Sequence, residues 1–134
     1  MIKKKYELTD EKAEFKGVTL HRIRALRDFG VIKKGNLGGF IEHENNLSHH
    51  GNCWVGGNAF VLSCACVYDN AQVYDDAEVY GSARIKHNAY VYGFAEVYGM
   101  ATVSGNARIY GDAKIYRDAD IDGDNVMSTG EKAW

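Results

Sequence analysis

From Asn52 to Gly123 the apolar positions recur with a period of six. The chain reads NCWVGG, NAFVLS, CACVYD, NAQVYD, DAEVYG, SARIKH, NAYVYG, FAEVYG, MATVSG, NARIYG, DAKIYR and DADIDG, 12 units with neither insertion nor slip. The fourth place is always Val or Ile, and the second is Ala in every unit but the first, which has Cys53. Alternation within a unit sends its second and fourth residues to one side and its third and fifth to the other. The last residue of each unit and the first of the next are mostly Gly, Asp, Asn or Ser, the residues of turns. Each unit is therefore a predicted short strand with a corner. Three units close a triangular coil of 18 residues, and 12 units give four coils, roughly 19 Å tall at about 4.8 Å per layer. Val/Ile stacked on Val/Ile and Ala on Ala then fill a narrow prism without voids.

Units three apart stack, so outward residues sort onto faces. The first face carries Trp54/Gly56, Gln72/Tyr74, Tyr90/Tyr92 and Arg108/Tyr110. The second carries Phe60/Leu62, Glu78/Tyr80, Glu96/Tyr98 and Lys114/Tyr116, and the third Cys66/Tyr68, Arg84/Lys86, Thr102/Ser104 and Asp120/Asp122. Two faces thus hold a ladder of three tyrosines and the third is polar. The corner entering the first face reads Asn52, Asn70, Asn88, Asn106 and Asp124, a further side-chain ladder.

The six-residue repeat resembles that of the hexapeptide-repeat proteins, whose fold is a single-stranded left-handed parallel β-helix. The handedness is what that resemblance implies. The segment from Thr19 to Val55 is in turn similar to the entry segment of YdcK-like hexapeptide proteins. It shares an apolar-basic strand, Asp28-Phe29, Gly38-Gly39-Phe40, Asn46-Leu47-Ser48 and Cys53-Trp54. The likeness implies the fold and leaves activity open. It implies a β-rich cap over residues 1–51, with Thr19–Leu26, Gly39–Glu42 and Lys5–Leu8 as strand candidates, covering an edge of unpaired donors and acceptors. The expected architecture is all-β: a cap (1–51), the β-helix (52–124) and a tail (125–134). Val126, Met127 and Trp134 either fold back over the last coil or leave its edge to the shielding of four aspartates.

Composition narrows the class. The chain has 134 residues, 15 Gly, no Pro and 9 Tyr, and the missing Pro suits continuous β pairing. A net charge of −2 gives no sign of a nucleic-acid polymer or a membrane as partner. It is unevenly spread: residues 1–45 carry net +3 and the remainder −5. The start lacks an apolar signal core, no stretch is long enough for a membrane span, and three Cys without framework spacing read as free thiols. A cytoplasmic setting is the expectation.

Exposed tyrosine ladders serve strand propensity and stacking, self-association, or ligand contact. A homotrimer is expected from the hexapeptide resemblance, with Tyr80, Tyr98, Tyr116 and Phe94 at the interface. A small anionic, nucleotide-like ligand between prisms would meet Trp54, Tyr74, Tyr90, Tyr92 and Tyr110 with Arg84, Lys86, Arg108 and Lys114. The preferred expectation is a non-enzymatic oligomeric binding protein that sequesters such a ligand, with no cofactor. One alternative, implied by the resemblance, is an acyltransferase using acyl-CoA. His87, the sole histidine of the repeats, would be its general base, although a corner histidine facing solvent is the simpler role. A second alternative is a structural scaffold.

No metal is expected. His43, His49 and His50 lie in the cap and do not suggest convergence, and Cys64-Ala65-Cys66 matches no common zinc spacing. Asp118-Ala119-Asp120-Ile121-Asp122-Gly123 opens like a calcium loop, yet Thr129 stands where the closing Glu belongs and the hexad phase already accounts for the segment. Gly35-Asn36-Leu37-Gly38-Gly39 reads as a tight turn rather than a phosphate loop, since no helix or lysine of that motif follows. Alternating basic residues of the cap read as a solvated strand face that can steer an anion.

Overall fold

Every unit of the repeat closes on the same backbone turn. In the computed structural model, which describes residues 3–134, the sixth residue of all 12 units is left-handed, with φ from 53° to 68° between Gly57 and Gly123. Five of these corners are not glycine: Ser63, Asp69, Asp75, His87 and Arg117. A left-handed conformation costs such residues about 1–2 kcal/mol. Side chains offset part of that cost. Asp69 and Asp75 accept the backbone N–H of His87 and Gly93, each at 3.1 Å, one coil below.

Between corners, two-residue strands pair in parallel with the unit 18 residues away. Val55, Val73, Val91 and Ile109 follow one another in register on the first face. Inward Ala and Val/Ile from Ala59 to Ile115 are fully buried, and Ala119 and Ile121 nearly so. The alternation of the sequence is thus the inside and outside of the prism. What differs from expectation is its height. The first-face sheet has a fifth rung, Val126–Met127, and the second-face sheet ends on Glu131–Lys132, so the parallel β-solenoid makes about five turns rather than four. The tail neither folds back nor leaves the fourth coil bare. The hexad signal was lost there because Asn125 and Lys132 take inward places, and because Glu131 pairs with Lys114 across 17 residues instead of 18. Asn125 is exposed there and Lys132 half-buried.

At the other end, β1 (Tyr6–Phe15) and β2 (Val18–Ala25) form an antiparallel hairpin. β3 (Leu37–Ile41) pairs antiparallel with β2 and parallel with Phe60–Val61, so it is already a rung of the second face. The expected strands Thr19–Leu26 and Gly39–Glu42 are found within two residues. Lys5–Leu8 proves to be the start of a strand that runs on through Asp/Glu/Lys-rich positions, where one solvated side hides the alternation. β3 crosses the top coil closely: a Cβ at Gly38 would lie 2.5 Å from the Val55 carbonyl oxygen and 2.7 Å from the Trp54 ring. That contact accounts for the Gly38-Gly39 pair.

The hairpin has two tasks. One end plugs the prism, where Tyr6, Ile23 and Ala25 join the Val/Ile/Ala core. The other end folds down outside the second face, where Phe15, Val18 and Leu20 cover Phe40, Phe60, Leu62 and part of Tyr80. A buried lysine completes the top. Lys5 is fully buried, and its Nζ donates to the carbonyls of Cys53 (2.7 Å) and Gly51 (3.3 Å) and to Cys53 Sγ (3.3 Å). Lower in the helix such corner carbonyls receive a backbone N–H from the coil above, as His87 does from Asn70 at 2.9 Å. Among the described residues no coil stands above Gly51, and Lys5 takes its place. Burial pulls the Lys5 ammonium below the ordinary lysine range, and the Cys53 thiol opposes the shift.

Ile109 points inward and Tyr92 outward. Ile109→Ala is expected to lose about 2–5 kcal/mol by urea denaturation, and Tyr92→Ala about 0.5–1.5 kcal/mol from its stacking. Comparable losses would overturn the inward phase of the branched residues.

Candidate functional site

Because outward side chains repeat every coil, the strand spacing aligns them. Tyr74, Tyr92 and Tyr110 stack on the first face with ring centroids 4.9 and 5.0 Å apart and planes within 6°. Tyr90 meets Tyr74 edge-on at 6.4 Å, and the Arg108 guanidinium lies 5.2 Å from the Tyr90 centroid. Among the described residues Arg108 has no carboxylate partner. A groove of about 360 Å³ opens between Tyr74, Tyr90, Gln72 and the loop Gly30–Ile32. Desolvation, then neighbouring Tyr92, raise the Tyr74 phenol above its ordinary range.

Five of the expected ligand residues therefore come together: Tyr74, Tyr90, Tyr92, Arg108 and Tyr110. Trp54 does not join them. It is 4% exposed, wedged under the N-terminal segment against Phe29 (5.3 Å) and Tyr6 (6.5 Å). Its outward direction was legible, but the cap that covers it was not. Lys114 stands on the second face between Glu96 and Glu131, and Arg84 and Lys86 on the third.

On the second face Tyr80, Tyr98 and Tyr116 form another stack, with centroids 5.0 and 5.2 Å apart. Phe15 packs edge-on against Tyr80 at 5.8 Å, and the Lys16 ammonium lies 5.0 Å from the same ring, so the uppermost tyrosine is partly covered. Besides Cys64, two corners break the polar rule of the unit's first place. Phe94 and Met100, each 69% exposed, bracket the second face on one coil.

His87 occupies a left-handed corner, and its Nδ1 accepts the Gly105 N–H at 3.2 Å. It does what Asp69 and Asp75 do at their own corners. A neutral ring accepting at Nδ1 carries its proton on Nε2. His49 is also committed: Nδ1 accepts the Lys5 backbone N–H (3.1 Å), Nε2 meets Glu44 Oε1 (2.8 Å), and the ring stacks on Tyr6 at 4.2 Å. The hydrogen bond to His49, with Lys4 adding to it, holds the Glu44 carboxyl below its usual range. No group of three or more His, Cys, Asp or Glu among the described residues is placed to share a metal ion. The three cysteines are unbonded, Cys53 buried and Cys64 exposed. No helix among the described residues is long and apolar enough to cross a membrane.

Repeat, ladders and corners define a hexapeptide-repeat parallel β-helix fold. The chain's similarity to a known protein is partial. An uncharacterized acetyltransferase, YdcK, of Escherichia coli (strain K12) is 37% identical over 59 residues, covering 38% of this chain and 18% of the relative. The chain thus matches less than a fifth of that protein's length. No family model matches the chain.

Glu78 and Glu96 face each other in register on the second face. Burial, then the Glu96 charge, raise the Glu78 carboxyl above the usual range, with Lys16 opposing. A carboxyl whose folded pKa exceeds its unfolded value binds its proton more tightly when folded. It therefore weakens the fold as the pH climbs from the unfolded value, ~4.3 for Glu, through the folded one, and has no effect below both. Glu78→Gln is expected to raise the melting temperature at about pH 7 and leave it unchanged below about pH 4. Unchanged melting at both would show a fully solvated carboxylate.

Proposed function

We propose that this protein is a non-enzymatic, self-associating binding protein that holds a small anionic, nucleotide-like ligand between neighbouring prisms. The observation that carries the reading is the pair of open tyrosine stacks on adjacent faces. Tyrosine presents a rigid, amphipathic contact surface, and its enrichment in exposed stripes is a mark of interfaces. The division of labour follows from what flanks each stack. On the second face the exposed apolar corners Phe94 and Met100 accompany Tyr98 and Tyr116, which suits contact with a second copy, in a trimer. On the first face the unpaired Arg108 and the groove beside Tyr74 and Tyr90 suit a planar ring with an anionic group.

Acetyl transfer is a second reading, favoured by the partial likeness to an uncharacterized acetyltransferase. His87 is a poor general base as it stands. With Nδ1 occupied by the Gly105 N–H, the neutral ring turns an N–H outward, not the lone pair that proton abstraction requires. Loss of acetyl transfer from coenzyme A in His87→Ala, starting from an active wild type, would restore that reading.

Native mass spectrometry of protein purified from its own cells is expected to give a trimer that carries a small molecule released unchanged on denaturation. Phe94→Asp with Tyr98→Ala should shift the population toward monomer while leaving the far-ultraviolet spectrum intact. A wild type that stays monomeric and empty would overturn the proposal, and recovery of a modified product would point to catalysis.

A further inference from the structure

Two adjoining grooves of about 640 and 510 Å³ lie where the third face meets the N-terminal segment. They share Ser48, His50 and Tyr68 as a common waist. One end holds Arg84 and Cys66, and the other holds Asp69, Asn70, His87 and Asn88. Of these residues only Arg84 entered the expected ligand site, and His87 entered as the general base of the acyltransferase alternative.

The hydrogen-bond directions decide what this space can recognise. Several acceptors of the lining are already used inside the protein. Asn70 Oδ1 accepts the Asn52 N–H, His87 Nδ1 accepts the Gly105 N–H, Ser48 Oγ accepts the His50 N–H, and Glu44 is held by Lys4 and His49. The donors are left over. The Arg84 guanidinium has no carboxylate or hydrogen-bond partner among the described residues, and the Asn70 amide group, the His87 Nε2–H and the Ser48 hydroxyl proton are uncommitted. Lys86 follows Tyr68 in the same outward column, one coil below. Asp69 gives one oxygen to the His87 N–H and keeps the other free, so one strong acceptor remains at the end away from Arg84.

An unpaired guanidinium at one end, a half-buried phenol ring at the waist and a carboxylate among amides at the other end match one kind of small molecule. Arg84 suits a phosphate, which takes two parallel N–H donors. Tyr68 suits a planar ring or the sugar that bears it, and Asp69 with Asn88 suits hydroxyl donors. The grooves are of the size that small ligands occupy. We infer that this surface is a nucleoside-phosphate site formed within a single chain, with the phosphate at Arg84 and the sugar hydroxyls toward Asp69. The inference rests on the ligand class proposed above and differs in place, since it needs no neighbouring prism.

Calorimetric titration with adenosine monophosphate, adenosine and inorganic phosphate tests it. The wild type should take the nucleotide more tightly than either fragment. Arg84→Gln should weaken nucleotide binding about tenfold or more and leave adenosine unaffected. His87→Asn keeps a residue that tolerates the left-handed corner and should weaken binding less. Both positions are exposed, and unchanged melting would confirm folded variants. Lys12→Ala, at an exposed cation outside both linings, should bind the nucleotide as the wild type does. Binding impaired in Arg108→Ala and intact in Arg84→Gln would overturn this site while supporting the intersubunit groove. Absence of nucleotide uptake by the wild type would remove both.

Discussion

A left-handed residue at every sixth position governs the rest of this molecule. It turns the chain through each corner without an insertion, so that unit lies over unit at the spacing of paired strands. The stacking distances follow from that spacing. Rings in the two tyrosine columns stand 4.9–5.2 Å apart with nearly parallel planes. Free aromatic pairs favour offset or edge-on arrangements. Here the backbone sets the ring separation, and the rings take the arrangement that it permits.

A solenoid built this way has a side that repeats and ends that do not. Each end leaves polar backbone groups without the next coil, and the two ends meet the problem differently. At the top, a buried ammonium stands in for missing N–H donors while Tyr6, Ile23 and Ala25 close the apolar shaft. At the bottom, the sequence becomes polar at inward places, and the strand Glu131–Lys132 pairs one residue out of phase. Burying Lys5 carries a desolvation penalty, which its carbonyl and thiol contacts offset only in part.

The legible part of the fold was the part that repeats. Val/Ile and Ala positions assigned each outward residue to its face, and the stacked columns of tyrosines stand where that assignment puts them. What could not be read is the cap's path over the surface, because contacts between a non-repeating hairpin and a repeating prism leave no periodic trace. Trp54, Phe60 and Leu62 shared the outward direction of later tyrosines, yet the hairpin and the loop at Phe29 cover them wholly or in part. Lys5 gave no signal either, standing in a basic run that reads as solvated. The third-face groove was hidden for the same reason: three of the eight residues lining one of its parts, Ser48, His50 and Gly51, come from the segment that joins cap to prism.

His87 shows how structure and function share a position in such a fold. Its corner is one of three where the side chain accepts the N–H of the next coil, the task that Asp performs at positions 69 and 75. Imidazole performs the same task with one nitrogen and has a second to spare. The second nitrogen carries the proton and faces outward, where aspartate would present negative charge. Replacing Asp by His at one corner therefore keeps the turn while changing the surface from acceptor to donor. The neighbouring free cations Arg84 and Lys86 change it in the same direction. A repeat whose interior is invariant can thus acquire a binding surface one corner at a time, with no change to the shaft that supports it.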